Sequence, residues 1–146
     1  MEKLEKDYNM IDWFKKVVFL NYANFEGRAR RAEYWYFYLC AMLLFIPPYI
    51  VFIVGAIQES TTIMIVSGVV LAIIGLGLLM PTLAVFVRRM HDTGKSGWYF
   101  FLNFIPLISL LAFVFTLLES DKFTNKYGKD PKNLDKDEDL DKIGTE

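Results

Sequence analysis

The chain has almost none of the residues from which metal or thiol chemistry is built. Cys40 is its single cysteine and His91 its single histidine in 146 residues. One cysteine excludes an intrachain disulfide and a cysteine-ligated cluster. One histidine excludes a multi-histidine zinc site. Cys40 also lies inside an apolar run, where cysteine behaves as a small hydrophobe. An excess of positive charge is lacking too: 16 Lys and Arg stand against 17 Asp and Glu, a net charge of −1, which gives nucleic-acid binding no support. No cofactor and no metal are expected, and the chain reads as a non-enzyme.

Charge is missing most completely from three long stretches. Tyr34–Ile57 has none in 24 positions, Ile63–Val87 none in 25 and Trp98–Leu118 none in 21. About 20 apolar residues cross about 30 Å of hydrocarbon, so all three qualify as membrane spans. The 54% hydrophobic share lies above the roughly 45–50% of soluble domains. The first 30 residues hold only short apolar runs between charges, and no cleavable signal is expected. No Asp, Glu, Lys, Arg or His lies mid-span, which lowers the case for an ion pump or proton-coupled carrier. The expected fold is an all-α integral membrane protein. Residues 1–33 form an amphipathic juxtamembrane segment, residues 34–118 carry three transmembrane helices (34–57, 63–87, 98–118), and 119–146 form a polar, largely disordered tail.

Local signals fill in this outline. Met10, Trp13, Phe14, Val17 and Leu20 recur at helical spacing, with Asp12, Lys15 and Lys16 on other faces. This fits a short amphipathic helix at the membrane surface, and packing against the helix bundle fits equally well. Asn9 is a candidate N-cap with Asp12 three residues on. Gly27 would allow a sharp turn. Pro47 and Pro48 should kink or interrupt the first span. Gly68 and Ala72 have small-residue spacing, with Gly75 and Gly77 following. Asn103 should hydrogen-bond to a neighbouring helix.

The stretch "VRRMHDTGKSGW", Val87–Trp98, joins the second and third apolar runs. Its "GKS" is not a phosphate loop, because position 89 is arginine where that motif needs glycine. His91 with Asp92 is too little for a catalytic metal site, though a proton relay is an alternative. An ordered turn is the expectation: Asp92 caps, Gly94 and Gly97 bend the chain, and Trp98 sits at the interface.

"NFEGRARRAEYW" (Asn24–Trp35), "RRMHDTGKSGW" (Arg88–Trp98) and "NKYGKDP" (Asn125–Pro131) resemble, in order and spacing, the three signature blocks of bacterial membrane proteins grouped as domain of unknown function 805. The resemblance covers roughly Asp12–Pro131, and Met90 stands where leucine is common. It implies a bacterial cytoplasmic-membrane protein with a three-helix core and carries no assigned activity.

Three spans would place the N-terminal segment and the Arg88–Gly97 loop on one face. Within about 20 residues of span ends that face has eight Lys and Arg against five on the other. The N-terminus is therefore expected inside and the C-terminus outside this multi-pass protein. Arg28, Arg30, Arg31, Arg88, Arg89 and Lys95 would form a basic face for anionic lipid headgroups or a partner protein. Asp92 is expected to pair with Arg28 or Arg31, with Glu33 as the other available acid and His91, Gly94 and Gly97 completing the turn. The third block would then lie alone across the membrane. Alternatively, one apolar stretch does not cross simply, and Tyr127 and Asp130 come beside His91. A second functional reading is a small oligomeric channel or carrier lined by Gly68, Gly75, Gly77 and Asn103. Asp135–Asp141 has five acids in seven positions and cannot bury enough apolar surface to order itself. Deleting Asn133–Glu146 should leave the thermal midpoint in detergent unchanged, and a large fall would contradict this view of the tail.

Overall fold

The computed structural model describes residues 5–105, 108–121 and 123–132. The described residues are helical without a strand; one isolated bridge pairs Asn125 with Gly128. Asn133–Glu146, expected to be disordered, and the side chain of Asn103 lie outside the described residues.

Helix α1, Met10–Lys15, opens with a reciprocal capping box. The Asn9 side chain accepts from Asp12 N at 2.9 Å, and the Asp12 carboxylate accepts from Asn9 N at 3.0 Å. Each bond satisfies a donor that a helix start leaves orphaned. A π-helical turn, Lys16–Leu20, follows. The apolar spacing buries Trp13 and Val17, and Phe14 stacks on Phe37 with centroids 5.8 Å apart. Of the two readings of this segment, packing against the bundle is the contact the structure contains.

Two helices make up most of the protein. Helix α2, Arg31–Ile57, has 27 residues, and α3, Thr61–Asp92, has 32. At 1.5 Å per residue they are about 40 and 48 Å long, and both are apolar enough to cross a bilayer. α2 runs as one helix through Pro47 and Pro48, so of the kink or interruption expected there the interruption does not occur. Each proline removes a backbone donor from the ladder, yet the helix continues on both sides of the pair. A tight connection joins the helices: Ser60 N donates to Gly55 O at 2.9 Å, and Gly55 faces Ile63 across the turn.

The third apolar stretch departs from expectation. A single span over 98–118 is replaced by a 3-10 helix, Gly97–Phe104, and a short helix α4, Ser109–Leu117, of nine residues. At 2.0 Å per residue the first leg is about 16 Å long, and at 1.5 Å the second is about 14 Å. Neither alone matches about 30 Å of hydrocarbon. Pro106, between the two pieces in the sequence, has no N–H to carry a helix through. The chain then comes back to where it left α3: Asp121 N donates to Asp92 O at 3.0 Å. Ser120, Asp130 and Pro131 are buried, so the packed region extends past the boundary expected at Glu119.

The helix hairpin rests on a close approach at Gly55. A Cβ there would lie 2.8 Å from Ile63 Cγ2 and 3.1 Å from Met64 N, whereas one at Gly77 meets nothing within 4 Å. Gly55→Ala should cost about 1–3 kcal/mol by overpacking, read as a lower thermal midpoint in detergent, while Gly77→Ala should leave the midpoint in place or raise it.

Candidate functional site

The segment expected as a loop, Arg88–Gly97, begins as the last turn of α3. Helical geometry places Arg88, Arg89, His91 and Asp92 at fixed angles around that turn. Gly94 ends the helix with φ +70, a conformation glycine adopts without steric cost. Lys95 N donates to Met90 O at 2.9 Å and Gly94 N to His91 O at 3.0 Å, the paired bonds of a Schellman end. Gly97 gives close approach, since a Cβ there would meet Val87 Cγ1 at 2.7 Å. Asp92 does not cap, because its carboxylate points into the protein.

Asp92 is fully buried and is the hub of the charged end. Arg28 Nε donates to its Oδ1 at 3.0 Å. Arg89 Nη1 and Ser120 Oγ both donate to Oδ2. Both guanidiniums reach further acceptors. Arg28 Nη1 donates to Phe123 O at 2.9 Å and Gly128 O at 3.3 Å, and Nη2 donates to Asp121 O. Arg89 Nε donates to Thr116 O at 3.1 Å and Nη2 to Leu118 O. One arginine thus ties the first block to the second and third, and the other ties α3 to the returning chain.

A second charge cluster lies around Glu33, which is also fully buried. Arg88 Nη1 donates to Glu33 Oε1, and Lys16 Nζ donates to Oε2 at 2.9 Å. Lys16 also donates to Glu5, whose other oxygen lies 3.3 Å from Arg30 Nε. Burial opposes the Lys16 ammonium, but Glu33 and Glu5 outweigh it and hold its pKa above the usual lysine value. Arg30 Nε donates to Pro131 O at 3.1 Å. Arg88 Nε and Nη2 are buried without an acceptor among the described residues.

The three signature blocks therefore converge, and the expectation that the third lies alone is overturned. The Tyr127 ring stacks on His91 at 3.7 Å with 6° between planes, and Asn125 Nδ2 donates to His91 O at 3.0 Å. Asp130 is buried and accepts from Lys132 N at 3.0 Å. His91 Nδ1 lies 3.3 Å from Gly27 O, which binds the imidazole to the first block.

The expected basic face divides in two. Arg28, Arg30, Arg88 and Arg89 are buried on internal acceptors. Arg31 is exposed, and Lys95 is half-buried with Nζ 4.4 Å from the Phe115 ring centroid. Sequence reasoning missed Ser120 and the main-chain carbonyls of Thr116, Leu118, Asp121, Phe123, Gly128 and Pro131. Every residue has a carbonyl, so no residue type announces these acceptors. Removing one partner of a buried pair strands the other charge. Asp92→Asn should cost about 3–5 kcal/mol, seen as a large fall in the detergent thermal midpoint, while Arg31→Gln should leave the midpoint unchanged.

Comparison with known proteins agrees with the three blocks. The family model "Protein of unknown function (DUF805)" matches residues 22–129. The inner membrane protein YhaI of Escherichia coli K12 is 39% identical over 127 residues, covering 84% of this chain and 97% of that protein. The inner membrane protein YhaH of the same strain is 35% identical over 125 residues, covering 84% of this chain and 98% of that protein. No solved structure matches the chain. With most of its length matched by the family model and by both relatives, and with all three blocks at one end of two apolar helices, the chain belongs to the DUF805 family.

Proposed function

We propose that this is a non-enzymatic protein of the bacterial inner membrane that crosses the bilayer twice, keeps both termini in the cytoplasm, and holds anionic lipid through a rigid headpiece at the inner surface. The observation that carries this reading is the return of the chain at Asp121 N to Asp92 O, 3.0 Å away. In this reading residues 93–120 enter the membrane and leave on the same side. The charge distribution agrees more strongly than it does with three spans. No Lys or Arg occurs between Ala32 and Val87, so two crossings put all 16 on one side and none on the connection at Gln58–Ser60. That is the asymmetry by which cations orient membrane proteins.

Two features favour a binding headpiece over a catalytic one. His91 is stacked and bonded, and Asp92 is enclosed by two guanidiniums, so neither is poised as a free acid or base. The cations left exposed, among them Arg31, Lys126 and Lys129, stand where phosphate headgroups would lie, each worth about 1 kcal/mol towards an anionic surface. A conduit gains less support from the glycines of α3. Gly68 lies against Phe52 and Gly75 against Phe45, and Gly77 O accepts from the Tyr22 hydroxyl at 2.9 Å.

Topology tests the reading directly. With Cys40 replaced by Ala, single cysteines at Gln58 and Lys132 are treated with a membrane-impermeant maleimide in spheroplasts. Gln58→Cys should label in intact spheroplasts and Lys132→Cys only after lysis. Labelling of Lys132→Cys in intact spheroplasts would restore an odd number of crossings and remove the proposal.

A further inference from the structure

An open cleft of about 550 Å³ lies between the end of α3 and the 3-10 helix. α3 lines it with Leu83, Val87 and His91, spaced four residues apart, so the floor runs about 12 Å along one stripe of the helix. Phe100, Phe101 and Trp98 form the facing wall. The polarity is graded along the floor. Leu83 continues the exposed apolar stripe of Leu76, Leu79 and Met80, while His91, under the Tyr127 ring, closes the other end. Lys126 is exposed there with Nζ 4.8 Å from the Tyr127 ring centroid.

We infer that this cleft holds one molecule of an anionic glycerophospholipid, with an acyl chain along Leu83 and Val87 and its phosphate at the Lys126 end. The inference rests on the two-crossing reading, in which the apolar end of the cleft opens onto the bilayer and the polar end lies at headgroup depth. Three observations select this occupant. The floor changes from apolar to polar over about 12 Å, close to the roughly 15 Å of hydrocarbon in one leaflet. The walls are large aromatics at the level where Trp and Tyr meet headgroups in membrane proteins. The Lys126 ammonium stands beside the Tyr127 ring that lines the polar end, Ser96 is a further polar lining residue, and no lining residue is a carboxylate. A second copy of the chain would bring like charge to that end, whereas a phosphate complements it.

The probe is a phosphatidylglycerol carrying a diazirine on one acyl chain, photolysed with the purified full chain in zwitterionic nanodiscs and mapped by peptide mass spectrometry. Labelling should concentrate on residues 83–101 over the equally accessible Ile65–Val70 face of α3. Leu83→Trp, which fills the apolar end, should abolish the excess. Lys126→Glu, on the surface and outside the buried charge clusters, should lower it about fivefold, and should lower labelling by the matching phosphatidylcholine less, because its choline offsets the phosphate charge. If Leu83→Trp does not fold, Lys126→Glu carries the test alone. Uniform labelling of both α3 faces, an excess untouched by Lys126→Glu, or crosslinks between two chains at Trp98 in place of lipid would each overturn the inference. The topology experiment fails or succeeds on a separate readout, so loss of the cleft is distinguishable from loss of the two-crossing reading.

Discussion

A carboxylate with no water around it depends on the cations beside it, and the charged end of this protein is arranged around one such group. Asp92 has Arg28 on one oxygen and Arg89 on the other. Either guanidinium alone would neutralise it, and the second adds a positive charge that main-chain carbonyls must solvate. Those carbonyls come from the last turn of α4 and the stretch after it, which explains why that part of the chain is drawn back to α3. Buried pairs of this kind add little net stability, because desolvation offsets the attraction. What they supply here is direction: each guanidinium has a fixed fork of donors, and only one placement of the returning chain meets them.

The same logic orders the Glu33 cluster, with less complete compensation. Lys16 and Arg88 share one carboxylate, and Glu5 lies between Lys16 and Arg30. Lys16 belongs to the N-terminal segment and Arg30 also holds Pro131, so these contacts join the two ends of the described chain. Aromatic packing joins the N-terminal segment to the hairpin, where Phe14 stacks on Phe37 of α2, and joins the two hairpin helices, where Tyr34 faces Phe86.

Much of this was legible in the sequence, and the part that was not has a definite physical cause. Uncharged length marked α2 and α3, and the Asn9–Asp12 spacing marked the start of α1. Family blocks placed the charged residues at the ends of those helices. Length and composition failed at Trp98–Leu118, because hydropathy does not distinguish one long helix from two short legs. Pro106 was the available signal against continuity. Reading Arg28, Arg30, Arg88 and Arg89 as part of a lipid-facing surface missed their burial, because burial of a cation depends on acceptors elsewhere. Those acceptors are backbone groups about 30 to 100 residues away along the chain, without a sequence pattern of their own.

That separation sets an order on biogenesis. Arg28 leaves the ribosome early, yet Phe123 O and Gly128 O are made 95 and 100 residues later. Chains elongate at about 5–20 residues per second, so the first arginine waits for several seconds with its internal acceptors unmade. During that interval α2 and α3 are already made, and Arg28 has Asp92 but not its later carbonyl acceptors. Closure over Arg28 therefore follows the synthesis of Gly128, and a nascent chain stopped before Asp121 would leave that guanidinium without three of its carbonyl acceptors while Arg88 and Arg89 already have theirs.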